Sequence, residues 1–514
     1  MKAGQTPTGV TDAAGDAPTG EARRILCVDL DGTLVKTDTL LECFLQLLKY
    51  HPFHVLLVLL WLLRGRAYLK RELATRANLD VARLPYHPEL LAFLRAERAA
   101  GRTLVLASAA DASIVRRVAD HLALFAEVLA SDGTVNLKGT RKRVALQERF
   151  RSGGYDYVGN DGSDVAIWND AHSAILVNTS PRVSRRLKAP IGRVFPGERV
   201  GPRMLLEAMR VQHWVKNLLL FVPLAMAHQI QNAELVLSSV LAFLAFGFCA
   251  SATYVINDLL DLDADRRHPT KQSRPLASGA LSLRLGMAMA PIGLIASLAI
   301  AALLPPAFMV TLVLYVVVTL AYSLRLKHIA ILDVVVLAGL YAIRVLAGSA
   351  ATGVPPSPWL LAFSLFFFSL ALVKRFSELD ALRHDADGTT PTRGYYASDR
   401  EQVASSGSAS GYIAVLVLAL YINSDAVVPL YRQPTVLWLI CPLLLYWISR
   451  VWLLAHRGQM HEDPVVFALR DRVSYAIGAC VVVILFVAAT GVGGRWARLP
   501  AGSDRVPHDV SHQR

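Results

Sequence analysis

The sequence predicts two dissimilar halves, an N-terminal α/β domain with a helical cap and a C-terminal all-α polytopic membrane bundle. Three observations predict them. At 514 residues the chain exceeds one compact domain. Its 54% hydrophobic residues against 18% charged, with a mean hydropathy of +0.40, are a membrane composition, yet an uneven one. Up to about residue 200 the chain reads as soluble, and beyond about residue 213 long apolar runs alternate with short polar loops. Lastly, short β-like runs that end in acids or a hydroxyl recur through the first half only.

Residues 1–21 are Gly-, Ala-, Thr- and Asp-rich without an apolar core, which reads as a disordered start and not a secretory signal. The α/β domain is expected over 22–200. In RILCVDLDGTLVKTDTL (24–40) a strand ends in Asp29, Leu30, Asp31, Gly32 and Thr33. Two carboxylates two residues apart project past the strand end, the first placed to attack phosphorus and the second to shuttle a proton, with Mg²⁺ between them. TLVLASAAD (103–111) is a second strand, ending in the hydroxyl of Ser108. NLKGTRKRVAL (136–146) offers Lys142 to bind phosphate, and YVGNDGSDVAIW (157–168) ends a third strand in Asp161 and Asp164, candidate metal ligands.

This ordered set resembles the haloacid dehalogenase-type (HAD) phosphatases over about residues 22–195. The resemblance implies a Rossmann-like α/β domain with a helical cap, placed at about 36–100, and a Mg²⁺-dependent aspartate nucleophile. One departure stands out. The family's last motif begins Gly-Asp, whereas Gly159 is followed by Asn160, with Asp161 one place later. Either Asp161 takes the metal role or metal binding is weakened. Within the cap, FHVLLVLLWLL (53–63) is too short for a span and has basic flanks. It fits a helix resting on the bilayer surface or an ordinary core helix.

In the second half about nine apolar runs approach the roughly 20 residues a bilayer requires, near 214–230, 235–256, 284–303, 306–323, 329–350, 357–374, 411–430, 434–455 and 473–494. Small residues in LAGLYAIRVLAGSAA (337–351) predict close helix approach. Lys and Arg concentrate in the loops after the even-numbered runs, among them Arg266, Arg267, Arg325, Arg383, Arg393 and Arg450, while LLPPAF and TGVPPSPW are nearly uncharged. The even loops and the N-terminal domain are therefore expected in the cytoplasm, on the inner face of a cytoplasmic membrane. The tail over 496–514 reads as flexible. The five cysteines are far apart and form no CxxC pair, which suits reduced thiols better than disulfides or zinc.

The second apolar run closes on NDLLDLDAD (257–265). At about 100° per residue Asn257, Asp258, Asp261 and Asp265 share one side of a helix, and Asp263 points elsewhere. Carboxylates clustered beside a bilayer call for compensation, and a hard divalent cation supplies it while keeping open positions for phosphate oxygens. Lys271 and Arg274 follow as partners for the remaining phosphate charge. A solvated basic loop would explain the arginines but not four aligned polar residues at the end of an apolar helix.

NDxxDxxxD at this place resembles the first signature of the UbiA-type intramembrane prenyltransferases, over about residues 203–495. The resemblance implies a helical bundle around a lipid-accessible cavity, with Mg²⁺ holding a diphosphate leaving group. The family carries a second aspartate-rich motif after its sixth helix, where this chain has LVKRFSELDALR (372–383). Lys374, Arg375 and Glu378 stand where acids are expected, which favours fewer metals and a more anionic substrate. RVQHWVKN (210–217), DADRRHPTKQSRPLASG (263–279) and YSLRLKH…LD (322–333) are similar to the decaprenyl-phosphate phosphoribosyltransferase branch. That branch implies transfer of 5-phosphoribose from phosphoribosyl pyrophosphate to a polyprenyl phosphate, for cell-wall arabinan precursors. Lys216, Lys271, Arg274, Lys327, Lys374 and Arg375 become candidate phosphate contacts, with Tyr322 and Asp333 shaping the pocket and RGYY (393–396) able to order over it. The HAD domain would then dephosphorylate the product. The partners expected are bilayer and lipid phosphate, not nucleic acid, and a homo-oligomer stays open. Two alternatives remain, an aromatic prenyltransferase and a degenerate, scaffold-like HAD domain. A transporter fits less well, because the acidic motif sits at a helix mouth and not at broken helices in midplane.

Overall fold

The computed structural model describes residues 24–198, 200–356, 364–382, 394–425, 427–460, 464–468 and 470–490. The chain forms two compact units. One takes the residues up to Ala208 together with Asp258–Met287, and the other takes Met209–Asn257 and the residues from Ala288 onward.

The first unit holds a six-stranded, all-parallel sheet of β1 (Ile25–Val28), β2 (Leu104–Asp111), β3 (Glu127–Ser131), β4 (Tyr155–Gly159), β5 (Ala174–Val177) and β6 (Ile191–Phe195) in the order β3-β2-β1-β4-β5-β6. Strand alternation sends Leu26, Val28, Leu104, Leu106, Val158 and Ile175 into one core layer. Cys27, Val105, Ala107, Tyr157 and Leu176 enter the other. Both faces are covered, which is why β1 and β2 read as unbroken apolar runs. The chain builds β2 and β3 to one side of β1, then crosses to β4 and continues outward, so β1 and β4 flank the point where the winding reverses. Loops after their carboxyl ends meet there.

Between β1 and β2 run α1 (Thr39–Tyr50), α2 (Val55–Leu63), α3 (Arg66–Arg76) and α4 (Pro88–Ala99). Asp38 caps α1 by accepting from the amides of Leu40 and Leu41. Gly65, at φ +111°, makes the bend that separates α2 from α3. After β2 and β3 follow α5 (Ala112–Leu122) and α6 (Thr140–Phe150).

Seven helices among the described residues are long and apolar enough to cross a bilayer: α7 (Ala233–Leu260), α8 (Leu283–Ala301), α9 (Pro306–Leu324), α10 (Leu332–Thr352), α12 (Ala397–Ile422), α13 (Pro434–His456) and α14 (Arg472–Thr490). They overlap seven of the expected runs, and the protein is a multi-pass membrane protein; the run expected at 411–430 lies instead at Ala397–Ile422, because the small and polar residues from Arg400 continue the same helix. The remaining two differ in form. The run at 214–230 is a 3₁₀ helix, Val211–Phe221, passing into a short helix, Val222–Met226. Its His213, Lys216 and Asn217 leave too little apolar length for a span. The run at 357–374 is described from Ser364, as α11 (Ser364–Leu382), whose second half carries Lys374, Arg375, Glu378 and Asp380. The expectations for residues 1–21, the tail 496–514 and Arg383 and Arg393 lie outside the described residues. Close approach through small residues is visible at Gly348, where a Cβ would collide with the carbonyl of Leu220.

Candidate functional sites

In the α/β unit Asp29 emerges from β1, and its amide is held by the carbonyl of Val158 on β4 (3.0 Å). Lys142 Nζ, fully inside the domain, donates to Asp29 Oδ1 (2.8 Å) and to the Tyr157 hydroxyl (2.9 Å). Tyr157 in turn donates to Asp164 Oδ1 (3.0 Å), and Asp164 Oδ2 accepts from the amides of Asn160 and Asp161 (3.0 and 3.2 Å). Asp31 Oδ1 accepts from the Thr39 amide (2.8 Å) at the start of α1. Asp29 and Asp31 open onto a cavity of ≈ 530 Å³.

Burial is the main reason both carboxyls are pushed up, Asp29 to about 7 and Asp31 to about 6. For Asp29 the Lys142 ammonium opposes the rise, while the charges of Asp164 and Asp31 add to it. For Asp31 the neighbouring Asp38 adds to it. Burial works against the charge of Lys142, but Asp29 and Asp164 more than restore it and leave the ammonium raised. Two buried oxygen donors that resist ionisation are a set that a hard divalent cation fits.

The last motif resolves as follows. Asp161 is exposed, and its Oδ1 accepts from the Ser163 amide and hydroxyl (2.6 Å each). The Asn160 amide packs over Gly32, where φ is +74° and a Cβ would overlap it. Asn160 thus sits against the Asp29–Asp31 turn, while Asp161 serves its own loop. Asp164 braces Tyr157 and the Asn160 turn. Ser108 is buried with its Oγ accepting from the Ala110 amide (3.0 Å), so Ala109 and Ala110 line the cavity and Ser108 does not. Among the described residues no three His, Cys, Asp or Glu side chains form a metal-holding group. The oxygen-bearing side chains on the cavity wall include Asp29, Asp31, Asn160 and Asp161.

Lys70 on α3 was not foreseen. Its Nζ donates to the Ala109 carbonyl (2.5 Å) and to Asn136 Oδ1 (2.8 Å), and burial lowers it. It lies in a basic stretch, RGRAYLKR, in which nothing marks one cation above its neighbours.

The aspartate-rich segment belongs to the same compact unit. Arg274 Nη1 stands between Asp265 Oδ2 (2.6 Å) and Asp258 Oδ1 (3.3 Å), a cation seated between two of the aligned carboxylates. Asp261, aligned with them in the sequence pattern, pairs with Lys49 on α1 (2.8 Å), and Asp263 accepts from Gln46 (2.5 Å). Asp261 is the N-cap residue of a new helical turn, Leu262–Arg267, and its carbonyl accepts from the Asp265 amide (2.8 Å). Arg266 makes a bidentate pair with Glu42 on α1 (2.6 and 3.1 Å) and donates to the Ala277 carbonyl (2.9 Å); both members are buried. Lys271 lies in the 3₁₀ turn Lys271–Ser273.

The membrane unit has its own cavity, ≈ 190 Å³, lined by Arg210, His213, Lys216, Arg344 and Lys374 with Tyr254, Tyr315 and Tyr341 among its walls. No carboxylate lines it among the described residues. A 3₁₀ helix repeats every three residues, so Arg210, His213 and Lys216 come onto one side. Arg344 is buried in α10 and fixed by Asn217 Oδ1 (3.0 Å), the Leu340 carbonyl (2.7 Å) and the Tyr315 hydroxyl (3.0 Å). Thr253 also lines the cavity, and Asn257 lies one turn further along α7.

Of the expected phosphate contacts in this unit, Lys216 and Lys374 reach the cavity. Tyr322 ends α9 and Lys327 occupies the 3₁₀ turn Leu326–His328; neither is on its wall. Asp333 and Arg375 pair with each other (2.6 Å), Arg375 also holds Glu378, and the Tyr395 hydroxyl donates to Asp333 (2.7 Å). Tyr395 of the RGYY segment is therefore buried against Asp333 and not free over a substrate. Arg344 was missed although its signal was present, a lone arginine inside an apolar helix.

A cation-lined cavity within a bundle of membrane-length helices, joined to an α/β unit with paired aspartates at its strand ends, defines an intramembrane transferase carrying a hydrolase-like domain. The chain belongs to the UbiA prenyltransferase family, whose model matches residues 218–471, and a haloacid dehalogenase-like hydrolase model matches residues 26–155. It is 37% identical to the uncharacterized protein y4nM of Sinorhizobium fredii, across 89% of each chain. It is 38% identical to the nodulation protein NoeC of Azorhizobium caulinodans, over 55% of this chain and 90% of that one. Decaprenyl-phosphate phosphoribosyltransferase of Mycobacterium tuberculosis is 39% identical over 34% of this chain and 60% of its own length.

Proposed function

We propose that the membrane unit transfers 5-phosphoribose from phosphoribosyl pyrophosphate to a polyprenyl phosphate, and that the α/β unit hydrolyses the 5-phosphate of the product. The observation that carries the first step is the cavity with Arg210, Lys216, Arg344 and Lys374 on its wall and, among the described residues, no carboxylate. A prenyl diphosphate brings one anionic group to such a family member, and phosphoribosyl pyrophosphate brings a second phosphate that matches the extra cations. The likeness to decaprenyl-phosphate phosphoribosyltransferases supports the same acceptor. The product would be a lipid-linked pentose precursor of the kind used for cell-wall arabinan.

In the transfer, the bond from C1 of ribose to pyrophosphate breaks and a lipid phosphate oxygen bonds to C1. Mg²⁺ held by Asp258 and Asp265, with Asn257 and Asp261 as the other ligands of the set, would neutralise the departing pyrophosphate. Arg274 then moves from the acids to phosphate. Lys216 and Lys374 orient the donor, and Arg344 keeps Asn217 and Tyr315 in place around it. Such positioning and charge stabilisation supply the rate without a protein nucleophile.

In the hydrolysis, Asp29 attacks phosphorus and Asp31 gives its proton to the leaving C5 oxygen; water then splits the aspartyl phosphate, returning the proton to Asp31 and releasing phosphate. Lys142 holds the charge of Asp29. Mg²⁺ held at Asp29 and Asp31, beside the Asn160 amide, would keep the Asp29 nucleophile ionised between turnovers, while Asp31 retains the proton it gives to the leaving oxygen. The concentration of basic residues in the even loops supports a cytoplasmic membrane with the α/β unit on the cytoplasmic side.

The test is incorporation of labelled phosphoribosyl pyrophosphate into a solvent-extractable polyprenyl phosphate by membranes containing the protein. Lys374→Met should raise KM for the donor by about 10–100-fold, the loss of one charge-assisted phosphate contact. Label entering lipid only from a prenyl diphosphate and an aromatic acid would instead establish an aromatic prenyltransferase.

The raised carboxyls supply a second test. Metal binding favours the ionised nucleophile, so Mg²⁺ should displace protons at pH 6, where Asp29 is largely protonated, and very few at pH 8.5. Titration calorimetry in buffers of different ionisation heat measures this, and Asp29→Asn should remove much of it. A heat at pH 6 that does not change with buffer would contradict the assignment.

A further inference from the structure

The α/β cavity is much larger than a phosphoryl group, within the range that holds a drug-sized ligand. It holds the acids Asp29 and Asp31, Lys70, Leu69 and Arg66 from α3, and Leu62 from the end of α2. Arg66 and Lys138, both on the wall, have no side-chain partner among the described residues, unlike Lys142 on Asp29 and Arg284 on Asp38. They are cations available to a second anionic group.

Leu62 leads onto a surface of a different kind. Phe53, in the turn before α2, is 84% exposed, and Leu56, Leu59 and Leu63 on α2 are 73%, 69% and 84% exposed, with Leu57, Leu60 and Leu62 exposed as well, while Trp61 is buried under Arg76. His51, His54, Arg64 and Arg66 flank this apolar surface. Ser282, Leu283 and Arg284 complete the cavity wall, and Leu283 and Arg284 begin α8, a helix of membrane-spanning length. The first turn of a membrane-spanning helix lies near a bilayer surface, and α2, wholly apolar with basic residues at both ends, exposes a surface suited to hydrocarbon.

Building on the phosphatase reading, we infer that this cavity takes a bilayer-anchored phosphomonoester with a second anionic group between phosphate and lipid chain, and that α2 rests in the membrane interface to admit it. The terminal phosphate lies at Asp29, the second anion at Arg66 and Lys138, and the first carbons of the chain at Leu62. Hydrolysis is the step given above, the ester P–O bond breaking and water supplying the oxygen and protons of the products.

The full chain in phosphatidylcholine–phosphatidylglycerol vesicles, with Mg²⁺, would be offered two probes, ribose 5-phosphate and its 1-farnesylphosphoryl derivative, and phosphate release followed. The farnesyl probe should have a kcat/KM at least about tenfold higher, since burial of only two methylenes is worth that much. Leu59→Glu with Leu63→Glu should remove most of this preference, with ribose 5-phosphate turnover reporting an intact domain, and Arg66→Ala should raise KM for the farnesyl probe alone. Equal kcat/KM for the two probes, or a preference that survives both variants, would overturn the inference and leave the phosphatase reading standing. No phosphate from either probe would overturn both.

Discussion

Asp29→Asn is expected to lower phosphate release by at least about 10³-fold while labelled phosphoribose still enters lipid. An amide cannot form the aspartyl phosphate, yet it matches the carboxylate in size and still offers Lys142 an oxygen at the 2.8 Å contact. The fold should therefore survive, and Lys142 keeps Tyr157 as its second partner. Parallel assays of lipid labelling and phosphate release on the same preparation separate the outcomes. If both activities fall together, the substitution acts through the fold. If phosphate release is unchanged, the α/β unit is a scaffold and its acids are inherited.

Glu42→Ala should be the most damaging single change to stability, costing about 3–5 kcal/mol. Arg266 is 8% exposed and Glu42 is 2% exposed, so removing the acid strands a guanidinium in a dry environment and leaves the Thr37 hydroxyl without its acceptor at 2.6 Å. Arg266 lies in the aspartate-rich segment, one residue after Asp265. Loss of the pair should therefore also disturb the Asp258–Arg274–Asp265 arrangement and depress the proposed phosphoribose transfer, although Glu42 lies on the helix that follows Asp29 and Asp31. Thermal unfolding and the transfer assay read the two effects. Adding Arg266→Met should recover most of the stability, because an uncharged chain of similar length no longer needs a partner. A double variant as unstable as the single one would show that the cost lies elsewhere.

Much of the fold was legible because it rests on local pattern. The β1 and β2 runs are apolar throughout, as strands buried on both faces are, and their terminal acids mark where the chain leaves the sheet. Seven spans could be placed from apolar length alone. The run at 214–230 misled because apolar count says nothing about helix type; Lys216 and Asn217 are accommodated by 3₁₀ geometry and by the side chain of Arg344. Sequence adjacency left open whether Asp161 replaces the missing acid; Asp161 lines the cavity with its carboxylate bonded to Ser163, while Asn160 takes the position over Gly32.

The sequence by itself determined the two-part organisation, the strand that ends in Asp29 and Asp31, and the acidic close of α7, since each depends on neighbours within a few residues. Only the tertiary structure decided which charges answer one another. Lys49 and Gln46 meet Asp261 and Asp263, Glu42 meets Arg266, and Asp333 meets Arg375, across separations from 42 to 224 residues in the chain. It also assembled the cationic cavity from Arg210, Lys216, Arg344 and Lys374, residues of three separate elements. Coulomb attraction and desolvation act over ångströms in space, and no pattern along the chain records which distant segment will supply the compensating charge.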